Sequence, residues 1–170
     1  MDLNLQSYLK PWRDPLLLGS GVPFLHGQYS IIVTTDASNR GWGGHCGNLK
    51  VQGFWNRKDS CLHINCLEML AAHRSFLAFQ HLIEGQTVLL RTDNTSVLHY
   101  VNKAGGTKSK KLCSLALRFL TWCHSHKVAV TAVHLAGEKN TLADSLSRNF
   151  LSQAEWELDR SVVQSLFLLW

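Results

Sequence analysis

Residues 29–38 read YSIIVTTDAS, and this stretch decides the fold. Ile31 to Thr35 are all β-branched and apolar side chains fall on both faces of the pleat, the pattern of a central strand covered on two sides. The run closes on Asp36, a carboxylate placed where a strand leaves its sheet. Immediately downstream, GWGGHCG (41–47) and LKVQGFW (49–55) read as two more strands around a Gly47-Asn48 turn, which completes an antiparallel meander.

Beyond the meander the period changes. Asn65 is placed to cap a helix that begins at Cys66 or Leu67, and LEMLAAHRSFLAFQHLI (67–83) repeats apolar residues at Leu67, Leu70, Ala71, Leu77, Ala78 and Leu82, which predicts one buried helical face. TVLLRTD (87–93) is a second apolar strand. Asn94 starts a short helix through Val101, a Gly105-Gly106 break follows, and an amphipathic helix runs from about Ser109 to His124. VAVTAVH (128–134) is a third core strand, HLAGEKN a polar loop and TLADSLSR (141–148) a helix. A meander followed by alternating helices and strands predicts an α/β protein with a five-stranded mixed sheet, three strands antiparallel and two parallel, flanked by helices.

The flanks differ. All three prolines, Pro11, Pro15 and Pro23, lie in residues 1–28, an irregular lead-in, and residues 150–170 carry an apolar stripe from Trp156 to Trp170 that reads as a docking surface or a dimer contact. With 170 residues, 45% of them hydrophobic, the chain suits one globular domain over residues 29–149. A formal charge of +5 and a pI near 9.1 admit an anionic partner, but the basic residues are scattered apart from Lys108, Lys110 and Lys111. Five cysteines without paired spacing predict reduced thiols in an intracellular protein, in cytoplasm or nucleus. Cys61, His63 and Cys66, and Cys123, His124 and His126, lack the two-residue gap of a zinc site. No apolar run is long enough to span a bilayer, so no membrane partner is expected.

Four carboxylates carry the chemistry: Asp36, Glu68, Asp93 and Asp144. Asp36 and Asp93 both end apolar strands, so parallel neighbours joined by the Glu68 helix would bring them out side by side at one sheet edge. Glu68, in the first turn of that crossover helix, points back toward its N-terminal end, and Asp144 arrives from the helix after the last strand. Hard oxygen ligands without a Cys or His cluster favour Mg²⁺ or Mn²⁺.

Strand-Asp, helix-Glu, strand-end-Asp, then His134 with Asn140 six and Asp144 ten residues later, resembles ribonuclease H over about residues 29–149. The phrases TDASNRGWGGHC, INCLEMLAA, LLRTDNTSVLHYVNKAGGTKS and HLAGEKNTLADSLSR are similar to the RNase H domains of retroelement polymerases, DIRS-type retrotransposons and their relatives, in which a reverse transcriptase lies upstream. The resemblance implies an endonuclease that hydrolyses the RNA strand of RNA/DNA hybrids, with two Mg²⁺ ions, replaceable by Mn²⁺, on Asp36, Glu68, Asp93 and Asp144. It implies a role for His134, in proton transfer at the leaving group or in metal and product exit, on a loop that Gly137 makes mobile.

Several residues are candidates for substrate contact: Ala37, Ser38, Asn39 and Arg40 after the first Asp, and Asn94 and Thr95 after the third, where 2′-hydroxyls and a phosphate are read. Lys103, Thr107, Lys108 and Ser109 surround the glycine break and suit a phosphate of the DNA strand. Asn140 is either a hydrogen-bonder near the metal and substrate or a cap of the following helix. The sequence lacks the long basic, Trp-rich insertion of cellular RNases H. Two other readings stand beside the enzyme: a catalytically silent module that binds hybrid or connects domains of a polymerase, and a DNA-acting member of the same superfamily.

Overall fold

The computed structural model describes residues 29–150. The proline-bearing lead-in and the Trp156 to Trp170 stripe lie outside the described residues. Strands β1 (Ile31–Ala37), β2 (Gly41–Cys46) and β3 (Leu49–Phe54) form the expected meander, and Gly47 opens its last turn with φ +56°. Strands β4 (Thr87–Thr92) and β5 (Ala129–His134) extend the sheet on the other side of β1 and parallel to it, in the order β3-β2-β1-β4-β5. This is the five-stranded mixed sheet that the sequence predicts.

Parallel strands need crossovers, and the helical segments supply them. Helix α1 (Ile64–Ala78) and the one-turn α2 (Gln80–Ile83) lead from β3 to β4. Helices α3 (Thr95–Asn102) and α4 (Lys110–Ser125) lead from β4 to β5, and α5 (Thr141–Arg148) follows β5. Asn94 and Ser109 cap α3 and α4 through their side chains, accepting from Val97 N and Leu112 N.

Helix α1 departs from its sequence reading in three respects. It begins at Ile64 and its cap is His63, whose imidazole accepts from the Asn65 amide, so Asn65 is inside the helix and Glu68 is in its second turn. It also ends at Ala78, with Phe79 turning the chain into α2. Finally, every residue from Cys66 to His73 is buried, whereas Leu77 and Ala78, read as core, are exposed. The cause is a helix covered on two sides: Ser75 meets β2 at Gly44, while Phe76 meets Phe119 of α4 edge-on with ring centroids 4.9 Å apart. A helix packed on both sides shows no single apolar stripe.

The largest fully buried side chains, Phe76, Phe79, Phe119, Leu67, Met69 and Ile83 among them, fill the space between these helices and the sheet. The opposite face of the meander is covered by α5. A Cβ at Gly43 would collide with Leu146 of α5 and stand 2.8 Å from the Ala143 carbonyl, so the bare backbone of β2 is what lets α5 lie against the sheet. Among the described residues no helix is long and apolar enough to cross a membrane.

Candidate active site

The β1–β4 register pairs Thr34 with Arg91, so two residues further on Asp36 and Asp93 leave the sheet as neighbours. Glu68 comes from α1 beside them. Ligand oxygens of Asp36, Glu68 and Asp93 all lie within 4.8 Å of one another. Asp36 and Glu68 are buried and Asp93 is half-buried, at the floor of an open cleft that Ala37, Ser38, Asn39, Ile64 and Arg148 also line.

Asp36 is held from behind. Ser147 Oγ donates to its Oδ2 at 2.6 Å and the Asn140 amide donates to its Oδ1 and to the Thr35 carbonyl, both at 3.3 Å. Asn140 is 1% exposed, which places it behind the carboxylate and away from a bound substrate. It also makes no side-chain cap of α5, whose first turn is entered through its carbonyl, accepting from Asp144 N. The loop after β5 runs across both strand ends: a Cβ at Gly137 would stand 3.5 Å from Asp93 Oδ2, and three residues later comes Asn140. His134 is exposed in register with Thr92, at the start of this loop.

Burial pushes the Asp36 carboxyl up to about 6, opposed by the Ser147 hydrogen bond and reinforced by Asp93 and Asp144. Burial pushes Glu68 further, to about 9, with Asp36 and Asp93 adding repulsion. Its Oε2 is buried without a hydrogen-bond partner. Such an orphaned anionic oxygen beside two more carboxylates is satisfied by a proton or by a hard cation, so the residues present fit a divalent oxygen-ligated ion.

Asp144 is not one of these three. Its Oδ1 accepts from Arg148 Nε at 2.6 Å across one turn of α5, and it reaches Asp36 only as a nearby charge. Arg148 and Ser147 went unassigned in the sequence reading. The Asp144–Arg148 spacing of four was legible as a helical ion pair, whereas Ser147 acts on a residue 111 positions away and leaves no local signal. Asn65, read from the sequence as a helix cap, does something else: its side chain accepts from the Asn94 amide (2.9 Å) and donates to Ser96 (3.1 Å), tying the start of α1 to that of α3 beside Asp93.

The remaining candidates divide by what already occupies them. Ser38 Oγ donates to Ser147 O at 2.6 Å and accepts from the amides of Arg40 and Gly41, while its carbonyl takes the Trp55 indole N–H at 2.7 Å, so its polar groups secure the turn and α5. Ser109 is engaged as the α4 cap, with its amide on the Tyr100 hydroxyl at 3.0 Å. Asn94 is committed to its cap and to Asn65. Asn39, Arg40, Thr95, Lys103, Thr107 and Lys108 are exposed, and Ala37 is buried in the lining of the cleft.

No protein-family model matches the chain. The enzymatic polyprotein of carnation etched ring virus is 30% identical over 133 residues, 72% of this chain and 19% of that polyprotein, so the chain spans about a fifth of its relative's length. Among solved structures, RNase H1 of the halophilic archaeon Halobacterium salinarum NRC-1 superposes with TM-score 0.57 at 19% identity, covering 68% of this chain and 92% of that one. LC11-RNase H1, solved in complex with an RNA/DNA hybrid, gives TM-score 0.58 at 20% identity over the same shares. The described residues therefore have a ribonuclease H-like fold with an acidic triad at its sheet edge, and the chain is related in sequence to a segment of the carnation etched ring virus enzymatic polyprotein.

Proposed function

We propose that this domain hydrolyses the RNA strand of RNA/DNA hybrids within a polyprotein that carries out reverse transcription, with a reverse transcriptase upstream. The observation that carries the reading is the triad of buried Asp36 and Glu68 with half-buried Asp93 at one sheet edge, facing an open cleft with an unsatisfied carboxylate oxygen. Two Mg²⁺ ions, or Mn²⁺ in their place, held by these three residues and by Asp144 when released from Arg148, would supply Lewis acidity at the scissile phosphate.

The rest of the work falls to this chain's own groups. Asn140 and Ser147 fix the rotamer of Asp36, so that its oxygens are oriented before substrate arrives. His134, exposed at the head of the loop that crosses Asp93, is placed for proton transfer at the departing 3′ oxygen. Lys103, Thr107 and Lys108 offer charge and a hydroxyl to the DNA strand, and exposed Asn39 and Thr95 offer polar groups to 2′-hydroxyls in the shallow minor groove. Water adds across the P–O3′ bond, leaving a 5′-phosphate and a 3′-hydroxyl.

One observation favours the silent-module reading: the fourth carboxylate is paired with Arg148 instead of joining the triad. Incubation of a labelled hybrid with the protein and Mg²⁺ separates the two. RNA-strand cleavage that is lost in Asp93→Asn, with single-stranded RNA and duplex DNA left intact, is the expected result. Binding of hybrid with equally little cleavage by wild type and variant would refute catalysis, and cutting of duplex DNA would transfer the domain to the DNA-acting branch.

A further inference from the structure

Helices α1 and α4 lie side by side and run the same way. Lys111 is near enough to act as a charge on the Cys66 thiol, and seven residues later on both helices Arg118 acts in the same way on His73. Seven residues bring a helix back to the same face, so Lys111 and Arg118, both exposed, stand in one row about 10 Å apart. The α4 sequence KKLCSLALRFLTWCHS carries Lys110, Lys111 and Arg118 and no acidic residue. At Arg118 the seam between the helices opens into a cleft of about 550 Å³, lined by Leu70, His73, Arg74 and Leu77 of α1 and by Arg118 and Trp122 of α4. That is the size of a ligand pocket.

The polar groups of this cleft are unequally engaged. Arg74 is fixed, with its guanidinium 2.5 Å from Asp59 and 4.9 Å from the centre of the Trp55 ring. Arg118 belongs to neither ion pair among the described residues. His73 is 8% exposed and its Nε2 has no hydrogen-bond partner. Burial, Arg118 and Arg74 push its ring down to about 4, so it is neutral near pH 7. An unpaired polar group in such a wall marks a place that a polar ligand completes. Beside it Leu77 is exposed, and the half-buried Trp122 ring is held by stacking on His126 at 4.4 Å. A free guanidinium next to an immobilised aromatic ring suits a nucleotide, phosphate on one and base on the other. The row of cations that leads there favours a polymer of evenly spaced charges, since about 10 Å spans three phosphates of a stacked strand.

We propose that the α1–α4 cleft binds single-stranded nucleic acid, with a base packed on Trp122 and Leu77, its phosphate on Arg118, and the strand continuing along α4 toward Lys111. This is a nucleic-acid contact separate from the catalytic cleft. It stands independently of the nuclease reading, because none of the triad takes part.

Fluorescence anisotropy of a labelled oligothymidylate of about twelve nucleotides, added to the full chain without divalent ions, tests it. All three substitutions used are at exposed positions. Arg118→Glu weakens binding about fivefold or more, and the uncharged change Leu77→Asn weakens it about threefold. Lys50→Glu, the same change of charge on β3, leaves it unaltered. In NMR spectra the Trp122 indole N–H signal moves as the oligonucleotide is added to wild type and stays in place in Arg118→Glu. An equal loss in Lys50→Glu and Arg118→Glu, or full affinity in Leu77→Asn, overturns the proposal. So does polyglutamate of equal length that binds as tightly, which would give the cleft to an acidic protein.

Discussion

Glu68 is the residue on which site and stability meet. In the unfolded chain it titrates near 4.5 and Asp36 near 3.8, whereas in the fold they titrate near 9 and 6. Between about pH 4 and 9 the folded chain therefore holds protons that the unfolded chain has shed, so metal-free stability falls as pH rises through that window. Denaturant titrations without divalent ions should show this decline. Glu68→Gln should flatten it and be more stable than wild type by roughly 2 kcal/mol at pH 8, since a neutral amide incurs no charge burial. Saturating Mg²⁺ should flatten it too, because the cation replaces the protons. Arg148 poses the complementary test. An exposed helical ion pair is worth up to about 1 kcal/mol, so Arg148→Ala, by freeing Asp144, should lower the Mg²⁺ concentration for half-maximal cleavage about two- to fivefold. A rise instead would mean that Arg148 serves the substrate.

At the scale of elements, β2 and α5 form the joint that assembles the site. Gly43→Val would drive a branched side chain into Leu146 and the α5 backbone, costing about 1–3 kcal/mol. Because α5 carries Asp144 and Ser147, cleavage should fall further than the melting temperature suggests, measured at a temperature where the variant is still folded. Much of this level was legible in sequence. The β-branched run into Asp36, the apolar run into Asp93 and the loop between His134 and Asn140 gave the strands, their parallel pairing and the convergence of their ends. What escaped has physical reasons. His63 and Asn65 are both polar residues at a helix entrance, and the choice between them depends on whether Ile64 is already helical, which its side chain does not announce. The two-sided burial of α1 erased the periodicity used to place its face. Asn140 and Ser147 support Asp36 from 104 and 111 residues away, and long-range contacts have no local period.

For the whole molecule, the proposed function makes charge the term that would set how a hybrid is approached. The net charge of the chain is only +5, and the long basic insertion of cellular RNases H has no counterpart between Asn102 and α4. Few phosphates should then be neutralised on binding. The logarithm of hybrid affinity should fall with the logarithm of salt concentration with a slope of about 2–4 in magnitude, and Lys108→Ala should reduce it by about 1. The separation of Asp36 from Ser147 also bears on biosynthesis. A ribosome that has passed Asp93 has already made Asp36, Glu68 and Asp93, yet Asn140 comes only after β5 and Ser147 only near the end of α5. Assembly of the acid site is thereby coupled to the arrival of the segment from Asn140 through α5, and a chain interrupted before Asn140 carries its triad without either group that orients Asp36.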